Sequence, residues 1–168
     1  SKLSPQASNH YESLIEKYSK PPYKIIRKAT DIKNFEDKIN KNKNNPVFCL
    51  FLHSFNDSQF AWGYDGFNTL TEYYISFVKE ASKIYPDSLF LVRPHPDIFL
   101  PAKSERIQND ILIFNEVVKR ICDINKQNVH VLMPEVANQW FFNLSDKAVA
   151  VTHHSPNVAI EALICRKL

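Results

Sequence analysis

The chain has 168 residues, 44% hydrophobic and 23% charged, which is the balance of one globular domain with a real core. A formal net charge of +3, from 21 basic and 18 acidic residues, is too mild and too scattered to mark a nucleic-acid surface. Having only Gly63 and Gly66 excludes a glycine-rich phosphate loop, and no apolar run has the length of a membrane span.

Residues 1–45 read as an N-terminal helical segment and linker. "SNHYESLIEKYSKPP" has the pattern of a short amphipathic helix stopped by Pro21 and Pro22. "TDIKNFEDKINK" follows, with Thr30 or Asp31 as its cap and Ile32, Phe35 and Ile39 at helical spacing. The basic "KINKNKNN", Lys38 to Asn45, reads as a solvated loop. From residue 46 to 168 the pattern changes to a single α/β domain. "PVFCLFLHS" is a continuous apolar run of β-formers, a strand buried on both faces. "NTLTEYYISFVKEASKIY" predicts the helix that covers it. "SLFLVRP" is the next strand and "SERIQNDILIFNEVVKRICDIN" the next helix. "NVHVLMP" predicts a third strand, "EVANQWFFNLS" a short helix whose Trp140 and Phe141 pack into the core, and "KAVAVTHH" a fourth strand. "SPNVAIEALICRK" closes the series as a helix, with Ser155 at its N-cap and Pro156 at its first position. Cys49, Cys122 and Cys165 are far apart and lie in apolar stretches, so they read as buried reduced thiols of a cytosolic protein without metal-ligand spacing.

Strands that alternate with helices, and that are apolar on both faces, predict a Rossmann-like parallel sheet flanked by helices. Ligands of such sheets bind beyond the carboxyl ends of the strands. Three of the four predicted strand ends deliver histidine there: His53, His95 and the pair His153–His154. In "LVRPHPDIF", Pro94 and Pro96 end the ladder and hold Arg93 and His95 on stiff, extended backbone. His95 is suited to donate to a phosphate oxygen, and Arg93 to pair with phosphate or a carboxylate. In "VTHHSPNVAIEAL" the helix start offers backbone amides to an anion, helped by Thr152, His153, Ser155 and Asn157. Glu161, set in an apolar helix, is placed to accept from ligand hydroxyls. The aromatic-rich "HSFNDSQFAWGYDGF" contributes His53 and Asp57 as candidate catalytic groups. Ser54, His53 and Asp57 make a triad only on paper, because no nucleophile elbow is present. A metal site of His53, His95 and His153 lacks carboxylate partners and ligand spacing, so no metal is expected.

"LVRPHP", followed about 55 residues later by "AVTHHSPNVAIEALICRK", resembles the nucleotide-binding half of bacterial capsule polysaccharide synthesis proteins. Those are glycosyltransferases of the GT-B type, including Kdo transferases; related patterns occur in bacterial sialyltransferases and teichoic-acid glycerophosphotransferases. The resemblance covers residues 46–168. It implies that His95 and Pro96 contact a nucleotide, that Ser155 and its helix amides hold the phosphates, and that Glu161 lies near the ribose or base. It implies no cofactor other than a nucleotide-sugar donor, with CMP-Kdo or CMP-sialic acid the first choice. The implied partners are a glycan or glycolipid acceptor and the second GT-B half, with no nucleic acid. The implied place is the cytoplasm, with peripheral association at the inner face of the cytoplasmic membrane. The chain has "HHSPN" where members of the family often carry a second Ser or Thr, and 168 residues do not hold both halves of such an enzyme. A fragment, an excised domain or a degenerate half is therefore expected, truncated at its C-terminus. Two rival readings are a Rossmann-like binding or assembly module without chemistry, and a glycerophosphotransferase of the teichoic-acid type. A weaker third is a small hydrolase or metal enzyme using His53, His153 and His154.

Overall fold

The computed structural model describes residues 24–41, 44–54, 69–99, 105–125, 127–152 and 156–167. Five parallel strands form one sheet: β1 (Lys24–Ile26), β2 (Val47–Phe51), β3 (Leu89–Arg93), β4 (Val129–Leu132) and β5 (Ala148–Thr152), in the order β1-β4-β3-β2-β5. The helices between them are α1 (Ala29–Lys41), α2 (Leu70–Ile84), α3 (Glu105–Ile124) and α4 (Asn138–Phe142), and α5 (Pro156–Ile164) follows β5. A 3-10 turn over Pro96–Phe99 links β3 toward α3. The α/β architecture expected from the alternating pattern is the one present.

Every residue of β2 is buried, as a central strand with helices on both faces requires. Its alternation sends Phe48, Leu50 and Leu52 into one apolar cluster and Val47, Cys49 and Phe51 into the other. The first cluster is filled by α2 and α3, through Tyr74, Val78, Phe114 and Ile121. The second is filled by α1, α4 and α5, through Phe35, Ile39, Phe141 and Ala162. This division follows from the strand order. The chain steps one way from β2 to β3 to β4, and the other way from β1 to β2 and from β4 to β5; crossovers of one hand then put the helices on opposite faces. Neighbouring strands β2 and β5 accordingly send their exits to opposite faces, as do β3 and β4. Each pair opens a crevice at the carboxyl rim.

Local chemistry marks the helix ends. Thr69 caps α2, its hydroxyl accepting from the Glu72 backbone N–H at 3.1 Å, which is the first half of a Thr-x-x-Glu capping box. The far end of α5 closes with the paired bonds of a Schellman turn: Lys167 N–H donates to the Ala162 carbonyl at 2.8 Å and Arg166 N–H to that of Leu163 at 3.0 Å. Arg166 sits there at φ 55°, where a side chain crowds the backbone and glycine does not. Replacing Arg166 with Gly is expected to raise stability by about 1 kcal/mol, seen as a thermal midpoint about 2–4 °C higher by calorimetry.

Several expectations are corrected. Lys24–Ile26 and α1 belong to the same body as the sheet, not to a linker ahead of residue 46: β1 pairs with β4, and Ile26, Phe35 and Ile39 lie in the second cluster. The predicted helix before Pro21 falls outside the described residues. Cys165 is half-exposed, whereas Cys49 and Cys122 are buried. Burial pushes the Cys122 thiol up to about 12 and raises that of Cys49 further, so neither supplies a thiolate. The helix expected over residues 135–145 shortens to Asn138–Phe142, because Pro134 to Val136 form a turn held by Arg93. Phe141 is buried as expected, while half-buried Trp140 donates its Nε1–H to Glu36 at 2.9 Å.

Candidate functional site

The carboxyl ends of β2 and β3 lie side by side, since Phe51 pairs with Arg93 in the ladder. Past those ends, Pro94 and Pro96 turn the chain away, and Leu52 N–H donates to the Arg93 carbonyl at 2.9 Å, extending the contact by one residue. His53 and His95 are thereby brought face to face, with ring centroids 5.5 Å apart and planes inclined at 34°. Both are partly buried. They wall a cavity of about 190 Å³ together with Arg93, Pro96, Asn138 and Asn157. That size is below the roughly 300–1,000 Å³ of sites that enclose drug-sized ligands.

The backbone fixes each of these side chains. His95 Nδ1 accepts from Asp97 N–H at 3.3 Å, a bond made by the 3-10 turn that Pro96 starts. The Asp97 carboxylate lies 3.6 Å from the same nitrogen. His53 Nδ1 lies 3.2 Å from the Ser54 carbonyl. Asn138 opens α4 and reaches the cavity from the opposite face; its Nδ2 donates to Glu161 at 3.0 Å. Its Oδ1 is buried without a partner among the described residues, and an orphaned acceptor beside a cavity asks for an O–H or N–H donor.

Of the residues singled out from sequence, His53, Arg93, His95, Pro96 and Asn157 line this one cavity. Arg93 differs from the expected phosphate contact in what its guanidinium does. Strand alternation points it to the α4 side, where Nη1 donates to the Val136 carbonyl at 2.7 Å and to that of Met133 at 3.5 Å, and Nη2 to that of Pro134 at 3.4 Å. It ties the β4–α4 turn to β3. Glu161 is exposed and orients Asn138, one residue away from the cavity wall. Thr152 ends β5, with its Oγ1 buried and unpartnered among the described residues and its carbonyl accepting from Tyr73 at 3.4 Å. Asp57, His153 and Ser155 lie outside the described residues.

The sequence reading missed several residues. Tyr74 is fully buried and donates to the Phe51 carbonyl at 2.6 Å, so α2 pins the end of β2. Ser54, fully buried, donates to Asp110 of α3 at 2.8 Å, and Asp110 is itself only 2% exposed. Asp110 precedes Phe114, Val117 and Ile121 on the buried stripe of α3. A carboxylate on that stripe was the signal available in the sequence.

Three larger hollows lie elsewhere among the described residues. One, of about 350 Å³, is bordered by Lys24, Asp31, Phe35, Lys38 and His130 at the sheet edge. A second, of about 340 Å³, lies between α1 and α4, beside Glu36, Asn40, Trp140 and Asn143. The third, of about 410 Å³, is an almost wholly apolar groove along α2, lined by Phe48, Tyr73, Phe77 and Ile84. Volume alone favours them; convergent hydrogen-bonding groups at a strand-end crevice favour the histidine cavity, and that criterion carries chemical content. Among the described residues no three His, Cys, Asp or Glu side chains gather as a metal site, and no helix is long and apolar enough to cross a membrane. No family model matches this chain, and comparison with curated proteins and with solved structures finds no match either.

Proposed function

We propose that this chain is the nucleotide-sugar-binding domain of a GT-B type glycosyltransferase of bacterial capsule or surface-polysaccharide synthesis, using a CMP-activated sugar. The observation that carries the reading is the pair of histidines at adjacent strand ends, beside the orphaned acceptor of Asn138, in a cavity of about 190 Å³. His95 donates to a phosphate oxygen and steadies the charge that builds on the departing nucleotide. Asn138 Oδ1 takes a hydroxyl of the sugar. The start of α5, which supplies Asn157 to the cavity, adds the positive end of its dipole. A second domain brings the acceptor, a glycan or glycolipid, and the whole works at the inner face of the cytoplasmic membrane.

Calorimetric titration with CMP, UMP and CDP tests this, with a His95→Ala variant beside the wild type. CMP is expected to bind, and the variant to bind about tenfold more weakly, the equivalent of one hydrogen bond to a charged group. Preference for UMP or CDP would keep the site and replace the donor. Absence of binding by all three at millimolar concentration, in the full-length protein as well, would sink the reading and favour a module without chemistry.

A further inference from the structure

The backbone partners of the two rim histidines differ in kind, and they assign the hydrogen of each neutral ring to a different nitrogen. A carbonyl oxygen only accepts, so the 3.2 Å contact with Ser54 puts the hydrogen of neutral His53 on Nδ1 and leaves the lone pair on Nε2. A backbone N–H only donates, so the 3.3 Å contact with Asp97 puts the lone pair of neutral His95 on Nδ1 and the hydrogen on Nε2. Rings 5.5 Å apart thus offer opposite chemistry through the same atom, a proton acceptor on one and a donor on the other.

What holds His53 in its form lies behind it. Ser54 is fully buried, and its hydroxyl donates to Asp110 at 2.8 Å across to α3. That bond fixes the Ser54 peptide, whose carbonyl in turn fixes the imidazole. A hydrogen-bonded group behind a histidine sets its tautomer and ring orientation in the same way at other catalytic sites.

We propose that His53 is the proton acceptor of this site, and that the buried Ser54–Asp110 pair is a positioning device that keeps it in the basic tautomer. The proposal rests on reading the rim as a transfer site. In the transfer, the acceptor hydroxyl oxygen bonds to the anomeric carbon and its proton passes to His53 Nε2. The bond from that carbon to the phosphate oxygen breaks, and the electron pair leaves with the nucleotide phosphate, which accepts from His95 Nε2–H.

Long-range proton–nitrogen NMR of the nitrogen-15-labelled protein at pH 8, without ligand, reads the tautomers directly. Assignment uses His53→Gln and His95→Gln. His53 is expected to show a protonated Nδ1 and bare Nε2, and His95 the reverse. In Ser54→Ala the His53 signals are expected to move toward a mixture of the two forms while those of His95 stay. Asp110→Asn is expected to act in the same direction, and if it does not fold, the wild-type tautomers and Ser54→Ala still decide. A wild-type His53 with hydrogen on Nε2 overturns the proposal; an unmoved His53 in Ser54→Ala overturns the positioning role. Wrong tautomers with intact CMP binding would fault this inference alone. The expected tautomers without nucleotide binding would support the lock and put the failure on the transferase reading.

Discussion

Acidification from pH 7 to pH 4 is expected to remove about 3 kcal/mol of folding stability through His130 alone. This imidazole sits on β4, only 4% exposed, with the Phe35 ring edge-on at 4.8 Å and its Nδ1 buried without a partner among the described residues. Burial pushes its pKa down from the ordinary 6.5 to about 4, and the charges of Lys38 and Lys24 add to the shift against a backbone hydrogen bond with Asn128. Above pH 6.5 both folded and unfolded chains hold it neutral, and its contribution is complete. Between 6.5 and 4 the unfolded chain takes a proton that the folded chain refuses, so stability falls by about 1.4 kcal/mol per pH unit. Below 4 the folded state also takes the proton and the loss levels off. Chemical unfolding of wild type and His130→Leu from pH 8 to pH 4 isolates this contribution, because the carboxylates titrate in both. The stability of wild type relative to His130→Leu should fall by about 3 kcal/mol as the pH drops. A constant difference would mean that the folded chain takes this proton as readily as the unfolded one, and that burial does not shift His130.

The same residue shows where sequence legibility ended. β2 to β5 were readable because each is an apolar run on both faces, a signature that only a doubly covered strand needs. His130 interrupts "NVHVLMP" without changing that pattern, so its cost in acid was invisible. β1 was unreadable for another reason. Three residues, "KII", have no period to detect, and Lys24–Ile26 is a strand because β4 offers an edge to pair with. At the candidate site, the rule that ligands sit beyond strand ends singles out His53, Arg93 and His95, and the structure gathers these three around one cavity. Asn138 escaped because it opens a helix whose aromatic residues drew it into the core. Asp110 escaped because its buried environment depends on a contact with Ser54 that spans 56 residues, and periodicity within one helix does not reveal a partner on another element.

Arg93 is the residue whose sequence reading and geometry diverge most, and substitution separates the two roles. With the guanidinium donating to the carbonyls of Val136, Met133 and Pro134, Arg93→Met leaves the turn between β4 and α4 with acceptors that no neutral side chain replaces. Val136 and Met133 are themselves buried, so water does not substitute freely. The expected cost is about 2–3 kcal/mol, the range for one good charge-assisted bond with two longer ones beside it. In a chain of this length that lowers the thermal midpoint by about 5–10 °C. Arg93→Lys should recover only part of it, because an ammonium on a single stem does not reach carbonyls fanned around a planar fork. Binding of CMP by Arg93→Met should weaken with little change in its salt dependence, since the turn it releases carries Asn138 to the cavity wall. The phosphate-pairing role predicts the opposite pair of results: stability close to wild type, with affinity that drops and loses its sensitivity to salt. Thermal melts and titrations at two ionic strengths, on the same three proteins, therefore decide whether Arg93 holds the ligand or holds the wall that holds it.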